Sequence, residues 1–173
     1  MIHPTATIDA DAVLGQNVEI GPYCVVGPGV VLGDDVVLKS HVVIRGPSNI
    51  GRGVQIYQFA TVGEDTPALA YEGEDSVLEV GEGTIIREGV TIHRGMAKRG
   101  IQKTIIGSNC LLMAYVHVGH DCTVGNNVIM ANNASLSGHV EVGDFANFGG
   151  YSGVPQFRNC LLYTSPSPRD LST

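Results

Sequence analysis

Every sixth residue from Ile2 to Val62 is aliphatic, running Ile2, Ile8, Leu14, Ile20, Val26, Leu32 and onward. The rhythm lapses, then returns from Ile106 to Val154 with Met130 and Phe148 among its members. Four residues after most of these sits a small or aliphatic partner, such as Ala6, Val18, Cys24, Val36, Val116, Cys122 and Ala134. A period of six matches neither the 3.6 of a helix nor the simple alternation of a strand. It specifies instead a solenoid of short parallel strands, in which each coil covers the apolar edge of the next. Three hexapeptides, about 18 residues, close one turn of a triangular prism with the repeat aliphatic pointing inward. The expected fold class is all-β, a hexapeptide-repeat parallel β-helix.

At 173 residues the chain is one domain, long enough for a continuous core. Its 23 glycines and 6% aromatics suit short strands joined by tight turns. Glycine often follows the repeat aliphatic, as at Gly15, Gly33, Gly107 and Gly125, where it should supply corner dihedrals and let coils approach closely. The pairs Gly51/Gly53 and Gly81/Gly83 fit the same role. Neither opens a G-x-G-x-x-G loop before a helical pattern, which rejects a dinucleotide-binding fold.

A net charge of −7 argues against nucleic acid as a partner. One local basic cluster stands out, Arg94, Lys98, Arg99 and Lys103. Cys24, Cys110 and Cys122 occupy partner slots and read as buried small hydrophobes of a reducing compartment. There is no charged-apolar-small leader and no apolar run of about 18 residues, so the expectation is a cytoplasmic chain without membrane insertion.

Two polar stretches break the rhythm, near 63–76 and 95–103, with Val80, Ile86 and Ile92 keeping it between them. Insertions in a solenoid loop out from one edge and can line a binding face. Beyond Val154 the pattern fails: Arg158 stands in a partner slot, and Cys160 and Pro166 in repeat slots. The string Cys160–Asp170 has no solenoid character and reads as translated adapter or vector sequence joined to a truncated reading frame. The organisation expected is a β-helix domain over 1–157, with its two loop insertions, and a non-native tail over 158–173.

Histidines carry the chemistry. His117 and His120 lie in M-A-Y-V-H-V-G-H-D-C-T-V-G-N, outside the inward slots. His139 follows His120 by about one coil, so His120, Asp121, Gly138 and His139 should cluster on stacked strands about 4.8 Å apart. An imidazole held by a carboxylate can act as a general base near neutral pH. Three or four imidazoles on one prism face could instead hold zinc, as in hexapeptide carbonic anhydrases of the gamma class. A non-catalytic scaffold is a third reading. Nothing resembles an activated Ser or Cys nucleophile, so any acyl transfer would be direct.

Several ordered strings are specific: I-G-P-Y-C-V-V-G-P from Ile20, I-Y-Q-F-A-T-V-G-E from Ile56, R-E-G-V-T-I-H-R-G from Arg87, H-V-G-H-D from His117 and M-A-N-N-A-S-L-S-G-H-V from Met130. In order and spacing, from about Ile2 to Phe157, they resemble the acyl-carrier-protein–UDP-N-acetylglucosamine O-acyltransferases of lipid A biosynthesis. The resemblance implies a left-handed coil, although connections between parallel strands are usually right-handed, and a homotrimer with active sites between subunits. It implies an acyltransferase without cofactor or metal. The 3-hydroxyl of UDP-N-acetylglucosamine would attack the thioester of a (3R)-hydroxyacyl carrier protein. Another hexapeptide acyltransferase using a different sugar nucleotide stays open as an alternative.

Carried over motif by motif, His120 matches the catalytic base, Asp121 its orienting carboxylate and Gly138 the oxyanion-stabilising N–H. His93, His117, His139 and Gln156 match substrate-binding positions. Two departures stand out. Where the family has Q-D-L-K-Y this chain has P-A-L-A-Y, so the usual sugar-holding Asp and Lys are Ala68 and Ala70; and Pro155 replaces the usual His before Gln-Phe. The resemblance also implies that acyl-length and uracil contacts and a C-terminal helical region would follow Phe157, and so be missing here, leaving the truncated chain's activity in doubt. The basic cluster at Arg94–Lys103 would belong to the carrier-protein surface.

Overall fold

The computed structural model describes residues 1–97 and 100–160. Short strands, most of two residues, pair in parallel into sheets of eight, eight and seven strands, forming a left-handed parallel β-helix. Registry follows the sequence period: Thr7 pairs with Val25 and Val25 with Val43, each 18 residues on. Two-residue strands are far too short to stand alone. Each is held because its N–H groups reach carbonyls one coil away, as in Val25 N–H to Val42 O at 2.9 Å.

The repeat aliphatics and their partners fill the prism. Leu32, Leu38, Ile56, Ile86, Leu112 and Leu136 are fully enclosed, and Cys24, Cys110 and Cys122 are free thiols packed among them. Burial pushes those thiols up, the Cys122 thiol to about 11, as expected of inert packing groups. Leu112→Ala should cost about 2–5 kcal/mol, because neighbours tied into strands on both sides cannot collapse into the void. A denaturant midpoint shifted by less than about 1 kcal/mol equivalent would show that the core is looser than this packing implies.

The corner chemistry differs from expectation. Gly15, Gly81 and Gly125 do not adopt positive φ; a Cβ on each would come within 2.7 Å of the next coil's backbone nitrogen. These glycines serve close approach alone. The left-handed backbone falls two residues later, at Asn17, Tyr23, Asp35, Asn109, Asn127 and their equivalents, with φ near 60°. Asn and Asp tolerate that conformation best among residues with a Cβ, and Gly53 and Gly83 occupy the same place, both at +66°.

Both rhythm breaks are insertions. Ile50 pairs with Val80 at an offset of 30, and Val80 with Ile106 at an offset of 26. The first loop runs between the strands Thr61–Glu64 and Val77–Val80, the second between Thr91–His93 and Lys103–Ile106. Past Val154 the coil continues further than the sequence pattern suggests: Asn159 and Cys160 pair with Glu141 and Val142, and Cys160 packs against the core. Cys160 sits in the repeat slot and is apolar enough to fill it. The rest of the stretch read as foreign, 161–173, lies outside the described residues. Among the described residues, no helix is long and apolar enough to cross a membrane.

Candidate active site

Five of the candidate residues share one corner of the prism. His120 and Gly138 occupy the same corner position one coil apart, with Gln156 a further coil on; Asp121, His139 and Phe157 form the adjacent column. Asp121, His139 and Phe157 all have φ near 60°, the left-handed corner conformation. The two columns are tied by the His139 N–H, which donates to the His120 carbonyl at 3.0 Å.

His120 lies outside the inward slots yet is only 8% exposed, and Asp121 only 4%. The second insertion covers them. The Asp121 carboxylate accepts from His120 Nδ1 at 2.8 Å and from the Met96 N–H at 3.1 Å, while its own N–H donates to Thr104 Oγ1 at 2.9 Å. With Nδ1 committed as the donor to a carboxylate, Nε2 is the free basic nitrogen. That nitrogen stands over Gly138, where a Cβ would meet it at 2.5 Å. Glycine at 138 is what lets the imidazole lie there. The Gly138 N–H donates to no acceptor among the described residues.

Two clefts flank the ring. The first, about 250 Å³, is lined by Pro67, Ala68, His117, His120, Gly138 and Gln156, together with Gly119 and Ser137. The second, about 610 Å³, is lined by Ala68, Leu69, Ala70, Met96, His120, His139, Gln156 and Phe157. Ala68, His120 and Gln156 belong to both, so the Nε2 nitrogen sits where the two clefts meet. His139 stands edge-on to His120, with ring centroids 4.8 Å apart, and stacks flat on Phe157 at 4.5 Å. Burial pushes the His139 imidazole down.

His93 is outside the lining of both clefts. Its ring lies 5.4 Å from that of His117, and its Nδ1 donates to the Asp65 carbonyl at 2.7 Å. His117 Nδ1 pairs with Thr91 Oγ1 at 2.8 Å. Burial, and then the neighbouring His93, hold the His117 imidazole below its usual value. The unfolded imidazole titrates near 6.5, so the unfolded chain takes up this proton first as pH falls. Stability from the neutral ring is complete above about pH 6.5 and is lost as pH drops through the lowered folded value. Thermal midpoints measured from about pH 7 to 5 should fall less steeply in His117→Gln; identical slopes would remove His117 as a source of acid sensitivity.

The basic cluster does not form one free patch. Arg94 is buried in an ion pair with Asp65, and Lys103 pairs with Glu79 at 2.6 Å. Lys98 and Arg99 lie outside the described residues. Sequence reasoning also missed Thr104 and the Met96 N–H. Thr104 had a signal, a hydroxyl two residues before Ile106 in a slot that is otherwise mostly aliphatic; a backbone donor on a loop has none.

His120, Asp121 and His139 could offer three metal-ligating atoms within 4.8 Å of one another. Two tetrahedral zinc ligands bound at about 2.0–2.1 Å stand roughly 3.3 Å apart. Nδ1 and Oδ2 at 2.8 Å instead share a proton, which is the geometry of a base and its orienting carboxylate.

A left-handed coil of hexapeptides with such a pair between two clefts places the chain among the hexapeptide-repeat β-helix proteins. The bacterial transferase hexapeptide (six repeats) family matches residues 1–34, 11–46 and 103–138. The chain is 35% identical to LpxA, a UDP-N-acetylglucosamine acyltransferase from Bacteroides fragilis, with a TM-score of 0.82 over 92% of this chain and 68% of that one. LpxA from Acinetobacter baumannii superposes with a TM-score of 0.91 at 46% identity, covering 92% and 62%. The acyl-[acyl-carrier-protein]–UDP-N-acetylglucosamine O-acyltransferase of Stutzerimonas stutzeri is 54% identical over 157 residues, 91% of this chain and 60% of that protein. The chain belongs to the UDP-N-acetylglucosamine O-acyltransferase family. It spans about 60% of the length of the curated relatives it matches.

Proposed function

We propose that this chain carries the catalytic corner of an enzyme that moves a (3R)-hydroxyacyl group from acyl carrier protein to the 3-hydroxyl of UDP-N-acetylglucosamine, the first step of lipid A biosynthesis. The observation that carries the reading is the buried His120–Asp121 pair with Nε2 over Gly138, whose N–H has no acceptor among the described residues. In this reading Nε2 takes the proton of the sugar hydroxyl as its oxygen attacks the thioester carbonyl. The tetrahedral oxyanion is met by the Gly138 N–H, a preorganised donor. Collapse expels the carrier thiolate, which recovers the proton from the imidazolium, so no covalent enzyme intermediate forms. Asp121 holds the tautomer and balances the transient charge. His117 and Gln156, lining the smaller cleft, and His139, lining the larger, would bind substrate, with His93 steadying His117 from behind.

The acceptor assignment rests on family resemblance. Ala68 and Ala70 leave this wall of the cleft without charge, so sugar nucleotides should be compared directly. Purified chain given hydroxyacyl carrier protein and a panel of UDP-sugars should yield an ester at the 3-hydroxyl, read by mass spectrometry. Absence of product together with about one zinc per chain would replace this reading with the zinc enzyme.

We also propose a homotrimer, supported by the exposed Val13, Val31 and Ile129 on prism faces; light scattering near 18.2 kDa instead of three times that mass would refute it. Three buried free thiols are consistent with a cytoplasmic setting. The unit is placed at 1–157 and 158–173 is taken as a non-native tail, supported by the 157-residue span of similarity; genomic codons for 158–173 at the source locus would overturn that.

A further inference from the structure

The segment from His93 to Ala97 makes an unusual number of polar contacts, and they reach in two directions. Arg94 is 8% exposed. Its guanidinium donates to the Gly63 carbonyl at 2.6 Å, to the Asp65 carboxylate, and to the Tyr71 hydroxyl at 3.3 Å. Tyr71 in turn donates to Asp65 Oδ1 at 2.9 Å. Its phenol is pushed up by burial, so it stays neutral and a donor. The Arg94 N–H donates to the Glu64 carbonyl at 3.0 Å, and His93 Nδ1 reaches the Asp65 carbonyl.

Asp65 and Tyr71 bracket the residues Pro67 to Ala70 that wall both clefts. One planar cation therefore fastens both ends of that wall. A guanidinium can do this because its donors fork in fixed directions; a lysine ammonium on a flexible stem cannot span the same three acceptors. Among the described residues Arg94 Nε is buried without a partner, a cost that a cation placed only for stability need not carry. Two residues on, the Met96 N–H holds the Asp121 carboxylate, and the Ala97 N–H returns to Glu74 of the first loop at 3.0 Å.

We propose that Arg94 is a positioning residue: it fastens the Pro67–Ala70 wall and, through the short segment ending at Met96, sets that wall against the His120–Asp121 pair. The role in turnover rests on the acyltransferase reading above; the role in ordering the wall does not. Amide hydrogen exchange on the full chain separates them. Arg94→Lys and Arg94→Gln should each raise exchange across 65–76 by about tenfold or more, with core-strand protection unchanged. In the acyl-transfer assay the same variants should raise KM for the sugar nucleotide about tenfold, with kcat falling less than about threefold. Methylguanidinium added to Arg94→Ala should recover part of both effects, which a general loss of packing would not allow. Unchanged exchange across 65–76 in both Arg94→Lys and Arg94→Gln overturns the proposal. A parent chain without transfer activity overturns the acyltransferase reading alone, since exchange still decides the role of Arg94.

Discussion

If the chain catalyses the proposed acyl transfer, His120→Ala should lower kcat by about 10²–10⁴-fold, the usual contribution of a positioned general base, while KM for the sugar nucleotide stays within a few-fold. The size of the effect follows from the surroundings of the ring. Nδ1 is occupied by the carboxylate of Asp121, a residue only 4% exposed, which also accepts from the Met96 N–H while the Asp121 backbone N–H is held by Thr104 Oγ1, so the ring is fixed with Nε2 at the junction of the clefts. His117 is the nearest substitute along the smaller cleft, but its Nδ1 is taken up by Thr91 and its basicity is lowered by burial. Asp121→Asn separates orientation from basicity. An amide in place of the carboxylate can donate to Nδ1 and move the ring proton to Nε2, removing the base without removing the ring. Both variants should keep the parent's circular dichroism. Turnover within a few-fold of the parent in His120→Ala would reject the assigned base.

Much of this corner could be read in advance because the period does the reading. A six-residue rhythm identifies which side chains point inward, and hence that His117, His120 and His139 do not. Coil length then stacks His120 beneath Gly138. Other features lie beyond a periodicity argument. It shows where a loop leaves the coil but not which contacts the loop returns to make. So the cover over Asp121 from Met96, and the fastening of Asp65 and Tyr71 by Arg94, appear only in three dimensions. Arg94 was legible as a basic residue in a basic cluster, and its burial reverses that reading. Glycine misled in a different way. Its position after the repeat aliphatic suggested both turn dihedrals and close approach of coils; the second holds, since the close coil contacts require a missing Cβ, but the turn itself falls on Asn, Asp, His and aromatic residues two places later. The hand of the coil has no signature in spacing at all, because a six-residue period closes equally well in either sense.

Gly138→Ala should abolish most activity with little loss of stability, by about 10²–10³-fold in kcat. Its backbone is outside the left-handed region, so alanine is conformationally permitted there. The new methyl group would lie 2.5 Å from His120 Nε2 and 2.6 Å from Cε1. The ring must rotate away, which withdraws the basic nitrogen from the junction of the two clefts and strains the Nδ1 bond to Asp121. The same methyl crowds the N–H assigned to the oxyanion. Gly149→Ala is the matched control, since a Cβ there meets nothing within 4 Å; it should leave both kcat and thermal midpoint unchanged. The double variant His120→Ala/Gly138→Ala makes the argument sharper. If the methyl group acts through the imidazole, the double variant loses little beyond His120→Ala, because the clash has no ring left to displace. If it acts through the oxyanion donor, the two losses multiply. Full activity in Gly138→Ala would mean that neither the ring position nor the N–H contributes to turnover, and the corner would lose its claim to be the reacting centre.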